Sequence, residues 1–248
     1  MKAARLLPAA LLTLTLSAGT GSAADLKPTV VELFTSQSCY SCPPAEELLN
    51  ELATEKSLVA LEFHVDYWDD LVYGAAGKWK DVFSKRAYTE RQSVYNRNIR
   101  GRPNVYTPQI LVDGQLQAVG SRRLEVLSRI REAEKDRRAR LDVSVTVDPA
   151  AGATVRVAGP VDRKAAVWMV RYIRERRTEV RAGENKGKSL LSRNVVTEVI
   201  RVGDWKGSET SISVSDFRLA DGEGCAVLVQ DETLGPILGA ATCMTSTS

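Results

Sequence analysis

The sequence predicts an α/β domain followed by an all-β, sandwich-like domain. Strand and helix patterns alternate between Asp25 and Arg140, which is typical of layered α/β architectures. After residue 141 the pattern changes to a period-two alternation of apolar and polar residues, which indicates half-buried strands. We therefore place a domain boundary near residue 140, with a first domain over 25–140 and a β-rich domain over 141–248.

The first 24 residues have the pattern of a secretory signal peptide. Lys2 and Arg5 precede an apolar run over 6–16, and residues 22–24 provide the small side chains of a cleavage site. The run is short for a bilayer span, and no later run approaches about 18 consecutive apolar residues. We expect cleavage near Ala24, and a secreted or periplasmic chain with no membrane span.

The first domain is predicted to contain three strand regions and three helices. In chain order they are a strand at 30–34, a helix at 44–56, a strand at 58–65, a helix at 78–98, a hairpin at 109–119 and a helix that begins at Ser121. Asp113-Gly114 in the hairpin is a strong turn signal. Ser121 is a candidate helix cap, and Leu124, Leu127 and Ile130 follow it at helical spacing.

The second domain is predicted to consist of short strands separated by Gly, Asp and Pro turns. The strand-like segments are 141–147, 153–157, 166–172, 178–181, 194–202, 210–214 and two cysteine-bearing segments at 225–230 and 236–243. Strands at this frequency indicate a β-sandwich or a related sheet domain.

Cys39 and Cys42 lie between the first strand and the first helix. A cysteine at the start of a helix is close to the helix amides and to the positive end of the dipole, and both favour the thiolate. We expect Cys39 to be an exposed, ionised nucleophile. Cys42 is then placed to resolve a mixed disulfide by closing an intramolecular bond.

The other two cysteines, Cys225 and Cys243, suit a structural disulfide in an oxidising compartment. A bridge that closes a loop of this length stabilises a fold by about 3 kcal/mol on the chain-entropy model. A second redox pair that passes electrons to Cys42 is the alternative.

His64 is the single histidine of the chain, and Asp66 follows it by two residues. In a strand, both side chains would point to one face. If this strand runs parallel to the first, its carboxyl end shares a sheet edge with Cys39, where His64 would assist proton transfer. The alternative is a half-buried histidine that is hydrogen-bonded to the backbone or to Asp66.

Five blocks of sequence occur in a characteristic order. They are residues 31–37, the Cys39/Cys42 pair with its two following prolines, residues 63–69, residues 91–92 and residues 105–109. With 181–187 and 202–205, they resemble the DUF1223 family of bacterial secreted thioredoxin-like proteins, whose function is unknown. The chain departs from that family at Ser38, Tyr40 and Asn194, where the family has Gly, Ser and His.

The resemblance implies a thioredoxin-like fold for the first domain and suggests further site residues. Thr107 and a cis Pro108 would form the edge that docks an extended substrate, with Tyr106 and Trp68 adding apolar surface beside the sulfurs. Glu32 would correspond to the buried acid of thioredoxins, so Glu32 and Asp66 are the candidates for a proton relay. The aromatic side chains would otherwise fill the core, and Glu32 would otherwise be salt-bridged or exposed at an edge.

These observations predict an exported thiol–disulfide oxidoreductase that acts on protein or peptide substrates and needs no cofactor. A redox partner protein would regenerate it, and the direction of the reaction stays open. Two alternatives remain. Cys39, Cys42 and His64 are suitable ligands for copper or zinc, and a cell-envelope interaction module would use the Cys39/Cys42 pair only as a staple.

Charge does not indicate a nucleic-acid partner. Without Lys2 and Arg5 the chain has 32 basic and 31 acidic residues, a net charge of about +1. The most basic segment, 129–140, alternates with acids and lacks aromatic residues for base stacking, so we interpret it as a solvated helix face.

Overall fold

The computed structural model describes residues 27–71 and 80–245, so the predicted signal peptide lies outside the described residues. The helices are α1 (Pro43–Leu52), α2 (Tyr67–Leu71), α3 (Arg86–Arg100) and α4 (Arg123–Glu134), with a 3-10 helix at Arg137–Ala139. The first strands are β1 (Thr29–Thr35), β2 (Leu58–His64), β3 (Gln109–Val112) and β4 (Leu116–Val119). The later strands are β5 (Asp142–Asp148), β6 (Gly152–Ala158), β7 (Ala165–Glu179), β8 (Ser189–Trp205), β9 (Thr210–Val214), β10 (Glu223–Asp231), β11 (Ile237–Thr242) and β12 (Met244–Thr245).

Eight strands form one large mixed sheet in the order β11-β10-β7-β8-β2-β1-β3-β4. β1 is parallel to β2 and antiparallel to β3. β8 joins the sheet beside β2, where Glu62 and Val195 are partners in a parallel pair. Strands from both sides of residue 140 therefore share a sheet, whereas the sequence suggested a β-sandwich of its own after residue 141.

The remaining strands form a small sheet in the order β12-β5-β6-β9. Its apolar side chains, such as Val145 and Val155, share a buried cluster with Met169 of β7 and Val227 of β10. Sandwich-like packing is thus present, but only between the small sheet and the far half of the large one. The fold is mixed α/β with one large and one small sheet.

Alternate residues of β1 point to different sides of the large sheet, as the period of a strand requires. Val31 and Leu33 pack with α1 and α4 in one apolar cluster. Val30 and Phe34 pack with Tyr88 and Tyr95 of α3 in another. β1 is buried along its whole length, because helices cover both of its faces.

The turn between β3 and β4 confirms the predicted hairpin. Asp113 and Gly114 both have positive φ, at 47° and 67°, which is the conformation that asparagine, aspartate and glycine favour in two-residue turns. The Asp113 carboxylate also accepts a hydrogen bond from the backbone N–H of Val30 at 2.8 Å. The side chain therefore ties the hairpin to β1.

The helix predictions were right in type and partly wrong in detail. α3 begins at Arg86, and the expected start at 78 lies outside the described residues. α4 is preceded by Arg122, and no side chain caps it, so Ser121 is not its cap. Leu124 is 81% exposed, because the buried face of α4 is formed by Val126 and Ile130.

Asn194 lies at an irregularity where β8 meets β2. It has a φ of 52°, a left-handed conformation that asparagine tolerates better than most residues. Its side-chain amide donates to the carbonyl oxygen of Ala60 at 2.9 Å. Asn194 therefore has a structural role at the junction between the two halves of the large sheet.

The predicted strand at 178–181 is not a separate strand: its first two residues are the end of the long β7, and its last two lie beyond it. Cys225 and Cys243 form a disulfide with a Cα–Cα distance of 5.2 Å, and the backbone N–H of Cys243 donates to the carbonyl of Cys225. This disulfide joins β10 to the segment that follows β11. None of the helices in the described ranges is long and apolar enough to cross a membrane.

Candidate functional site

The Cys39/Cys42 pair forms a disulfide at the start of α1. The two Cα atoms are 5.4 Å apart, Cys42 is the N-cap residue of the helix, and Cys39 lies in the preceding turn. Both residues are fully buried. The hydroxyl of Ser41 lies 3.5 Å from the Cys39 sulfur.

The burial of Cys39 contradicts our expectation of an exposed nucleophile stabilised by helix amides. Pro43 and Pro44 occupy the first two helical positions, and proline has no N–H to donate. The next two amides, of Ala45 and Glu46, both donate to the carbonyl of Cys42. The helix dipole remains near the pair, but the first turn supplies no free amide for the Cys39 sulfur.

We call residues 36–42, which connect β1 to α1, the disulfide loop. A cluster of buried ionisable side chains lies on the α1 side of the sheet, beneath this loop. His64 is held between two carboxylates, with its Nδ1 atom 2.8 Å from Asp81 and its Nε2 atom 2.7 Å from Glu62. Glu46 of α1 accepts a hydrogen bond of 2.6 Å from the hydroxyl of Thr35. We call Glu46, Glu62, His64 and Asp81 the buried acidic cluster, and all four are at most 2% exposed.

Electrostatics set distinct protonation states within the buried acidic cluster. Burial would lower the pKa of His64, but Asp81 and Glu62 outweigh it and raise the pKa of the imidazole well above its ordinary value. Burial raises the pKa of Glu46 to about 8, and the nearby Glu62 charge adds to this effect. At neutral pH these shifts in pKa favour an imidazolium at His64 and a protonated carboxyl at Glu46.

The buried acidic cluster contacts the disulfide loop at two points. The Asp81 carboxylate accepts a 2.8 Å hydrogen bond from the backbone N–H of Gln37, and the backbone N–H of Glu46 donates to the carbonyl of Cys42 at 3.2 Å. One Glu62 oxygen and both polar atoms of the Gln37 side chain are buried without a hydrogen-bond partner among the described residues. Buried polar groups without a partner are costly and rare in folded proteins, so they mark this region as unusual.

The structure places the two predicted relay acids elsewhere. Glu32 lies on the α3 side of the sheet, where its carboxylate pairs with Arg91 at 2.9 Å and accepts a hydrogen bond from Tyr95. Asp66 follows the end of β2 and bonds the hydroxyl of Thr89 on α3 at 2.6 Å. Neither acid belongs to the buried acidic cluster, because strand alternation turns Glu32 away and β2 ends before Asp66.

The predicted docking edge precedes β3. The Thr107–Pro108 peptide bond is cis, as expected, and the Thr107 hydroxyl accepts a 2.7 Å hydrogen bond from the indole of Trp68. Gln92 donates to the carbonyl of Tyr106 at 2.7 Å. Trp68 is partly buried against the apolar cluster beneath α3, so its ring supports Thr107 and is only partly free to meet a substrate.

A segment from the second half of the chain covers the disulfide loop. We call residues 180–188, which connect β7 to β8, the strap. The Asn185 amide donates to the carbonyl oxygens of Gln37 at 3.0 Å and Cys39 at 2.8 Å. The Glu184 carboxylate accepts a 2.8 Å hydrogen bond from the backbone N–H of Tyr40, and the Lys188 ammonium lies 4.9 Å from the Tyr40 ring centre.

The alternative with copper or zinc receives no support from the arrangement of His64. Both of its ring nitrogens are engaged by carboxylates, so neither faces the cysteine pair as a free ligand. In the part of the chain that the structure describes, no group of three or more His, Cys, Asp and Glu side chains is arranged to hold a metal ion.

Sequence reasoning missed several residues that the fold brings to the site. The position of Glu62 could have been predicted, because it precedes His64 by two residues in a strand and must share its face. Glu46 had the appearance of an ordinary acid in a first helical turn. Asp81 and Asn185 gave no local signal, although the block at 181–187 had been noted for its resemblance to the family.

Fold and site together define a mixed α/β protein with a buried disulfide in a Cys-X-X-Cys motif. Comparison with family profiles matches residues 30–230 to proteins of unknown function described as DUF1223. The chain therefore belongs to the DUF1223 family. A search of functionally curated proteins found no significant match.

Several solved structures are similar to this chain, and two of them are described here. Protein AGR_C_4864 from Agrobacterium tumefaciens shares 28% identity at a TM-score of 0.67, over 89% of this chain and 96% of that one. HBP35 of Porphyromonas gingivalis shares 13% identity at a TM-score of 0.53, over 90% of this chain and 78% of that one. The second likeness concerns the fold alone.

Proposed function

We propose that this protein is an exported thiol–disulfide oxidoreductase in which Cys39 and Cys42 are the redox couple. The observation that carries the proposal is the position of the pair, between β1 and α1 and directly above the buried acidic cluster. A disulfide that only stapled the fold would not need four ionisable groups buried beside it, because burying such groups is costly. Perturbed ionisable groups of this kind are concentrated at functional sites.

A thioredoxin-like architecture for the first half of the chain is part of the proposal. The order of β1, α1, β2, α3, the β3–β4 hairpin and α4 supports it, as does the start of α1 at the vicinal pair. Thr107 and Pro108 would then form the substrate-docking edge, with Tyr106 beside them. Export is supported by the leader pattern and by the second disulfide, because disulfides persist outside the cytosol.

The proposed chemistry in the reducing direction has two steps. The Cys39 thiolate attacks a substrate disulfide, a mixed disulfide forms, and one substrate sulfur leaves as a thiolate that takes up a proton. Cys42 then loses its proton and attacks the Cys39 sulfur, which closes the Cys39–Cys42 bond and releases the second substrate thiol. The protein dithiol is oxidised by two electrons and the substrate disulfide is reduced by two; the oxidising direction is the reverse.

The buried acidic cluster would handle the protons of these steps. Glu46 is one helical turn from Cys42, and its pKa of about 8 is close to that of an ordinary thiol, so the ionised form of Glu46 is placed to accept the proton that Cys42 loses. The positive charge of His64 would balance the negative charge of the carboxylates beside it. In this proposal, Glu46 takes the role that the sequence suggested for Glu32.

One observation favours the second candidate, an envelope interaction module with a structural disulfide. Both cysteines are fully buried, whereas reactive cysteines usually have some access to solvent. Under this alternative the pair resists reduction in the folded protein. The two candidates therefore differ in a directly measurable property of the Cys39–Cys42 bond.

Trapping of a substrate tests the proposed function. Reduced C42A protein should form a mixed disulfide through Cys39 with an oxidised protein such as insulin, whereas C39A should form none and should not turn over insulin. A C225A/C243A variant is the control for the other two cysteines. Insulin turnover by C39A at the wild-type rate would overturn the assignment.

A further inference from the structure

The strap is fixed to the disulfide loop through main-chain atoms of that loop. Asn185 is fully buried and donates to two carbonyl oxygens, while Lys188 donates to the Asn185 side-chain oxygen at 2.9 Å. These contacts fix the orientation of the amide, because a flipped side chain would set its oxygen against both carbonyls. Asn185 therefore acts as the latch between the strap and the loop.

Two further contacts, both made by Glu184, hold the strap against the loop on either side of Cys39. The backbone N–H of Glu184 donates to the carbonyl of Ser38 at 3.3 Å, and the Glu184 carboxylate accepts from Tyr40. A Cβ atom on Gly183 would lie only 2.9 Å from the Ser38 hydroxyl. The strap and the residues around Cys39 are thus in direct contact over three successive residues.

Access to the sulfurs is the physical problem that this arrangement creates. Thiol–disulfide exchange requires an attacking thiolate to reach a sulfur atom, yet neither cysteine has exposed surface. The described strap is otherwise exposed, apart from Asn185, Val180 and partial burial at 182–183, so few apolar contacts oppose its movement. Segments of this kind are the ones that open locally at low cost.

We propose that the strap is a gate, and that Asn185 is a positioning residue which controls access of thiols to the Cys39–Cys42 bond. In the closed state Asn185 holds the carbonyls of Gln37 and Cys39 and shields the pair. When the latch bonds break, the strap moves away and a thiol reaches the sulfurs. The biological role of the gate rests on the proposed function. Control of access to the Cys39–Cys42 bond does not depend on that function.

The rate at which dithiothreitol reduces the Cys39–Cys42 bond in folded protein tests the gate. One dithiothreitol thiolate attacks the pair, the S–S bond breaks, and the second thiol releases the protein as cyclic dithiothreitol forms. The loss of two buried hydrogen bonds in N185A should raise this rate about tenfold. N185D keeps the side-chain size but cannot donate at neutral pH, and it should raise the rate at least as much.

Hydrogen exchange of the Tyr40 amide supplies a second readout. If Asn185 only stabilised the fold, the exchange rate of this amide and the rate of disulfide reduction would not change together. This amide is released when Glu184 withdraws, so its exchange rate should rise by the same factor as the reduction rate. K186A changes an exposed strap side chain and should alter neither rate. Low urea concentrations should raise both rates in parallel in the wild-type protein, which keeps the test informative if a variant fails to fold.

The outcomes separate the gate from the proposed function. Faster Tyr40 exchange in N185A with an unchanged reduction rate would overturn the gate, and so would unchanged rates in both Asn185 variants. Failure of the proposed function would give a different experimental result. In that case the reduction rate rises in N185A as expected, yet reduced N185A/C42A protein still traps no substrate.

Discussion

The side-chain amide of Asn185 lies 2.8 Å from the carbonyl oxygen of Cys39, although the two residues are 146 positions apart in the chain. This hydrogen bond connects the β7–β8 hairpin to the loop that carries the disulfide. It also shows why the site depends on the whole chain: the helix and strand that flank the cysteines come from the first half, and the cover comes from the second.

Glu46 should make the stability of the protein depend on pH. Its pKa is raised from 4.5 to about 8, so the folded state retains a proton that the unfolded chain releases across this window. The free energy of unfolding should therefore fall as the pH rises from about 4.5 to 8. E46Q should flatten this dependence and be more stable than wild type above pH 8, by on the order of a few kcal/mol.

Urea unfolding at pH 5, 7 and 9 measures this effect. E47Q is the matched control, because Glu47 is the exposed neighbour of Glu46 on α1. The same pH dependence in E46Q and wild type would show that Glu46 is ionised in the folded protein at neutral pH.

His64 should be protonated at a pH where an ordinary histidine is neutral. Because it is the only histidine of the chain, one set of imidazole NMR signals reports its titration. Its raised pKa gives stability that is complete below about pH 6.5 and is lost as the pH rises through the folded-state pKa. A midpoint at or below 6.5 would refute the ion-pair arrangement.

Replacement of His64 by glutamine should also destabilise the fold. Glu62 and Asp81 would remain buried without a cation between them, and removal of one partner from a buried ion pair typically costs about 3–5 kcal/mol. Urea denaturation at pH 6 measures the loss. A change below about 1 kcal/mol would mean that the two carboxylates are not charged.

Glu32 should matter for stability but not for redox chemistry. E32Q leaves the Arg91 guanidinium buried without its carboxylate, and we expect a loss of about 3–5 kcal/mol. The rate of reduction of the Cys39–Cys42 bond in the folded variant should equal that of wild type. E90Q, which breaks the exposed Arg86–Glu90 pair, is the control and should change stability little.

A comparison of Gly183 with Gly187 separates the effect of the close contact between strap and loop from the effect of backbone conformation. Both have positive φ, at 81° and 83°, so an alanine at either position carries a backbone penalty of about 1–2 kcal/mol. Only at Gly183 would the new Cβ also press on Ser38; nothing lies within 4 Å at Gly187. G183A should therefore destabilise more than G187A in thermal unfolding, and S38G should recover part of the difference.

Much of the fold was predictable because its signals are local. Strand alternation identified the segments of β5 to β11, and Asp113-Gly114 specified the β3–β4 turn through its backbone preferences. The way the strands assemble was not predictable in this manner. β8 joins β2 through one parallel pair beside Asn194, whose φ is positive, and no pattern within either strand encodes that partner.

The site was predictable to a smaller extent. Cys39 and Cys42 followed from their position, and Glu62 could have been found from its spacing to His64. The prolines after Cys42 were visible, and they already argued against free helix amides near the sulfurs. Asp81 and Asn185 could not be found, because they reach the disulfide loop through tertiary contacts.

The reduction potential of the Cys39–Cys42 couple, measured by equilibration with dithiothreitol or glutathione buffers in the C225A/C243A variant, tests the redox assignment most directly. We expect a value between about −270 and −120 mV, the range of exchangeable catalytic disulfides, and its position within that range would give the direction of the reaction. A value below about −300 mV, typical of structural disulfides, would contradict the assignment of Cys39 and Cys42 as a working redox pair.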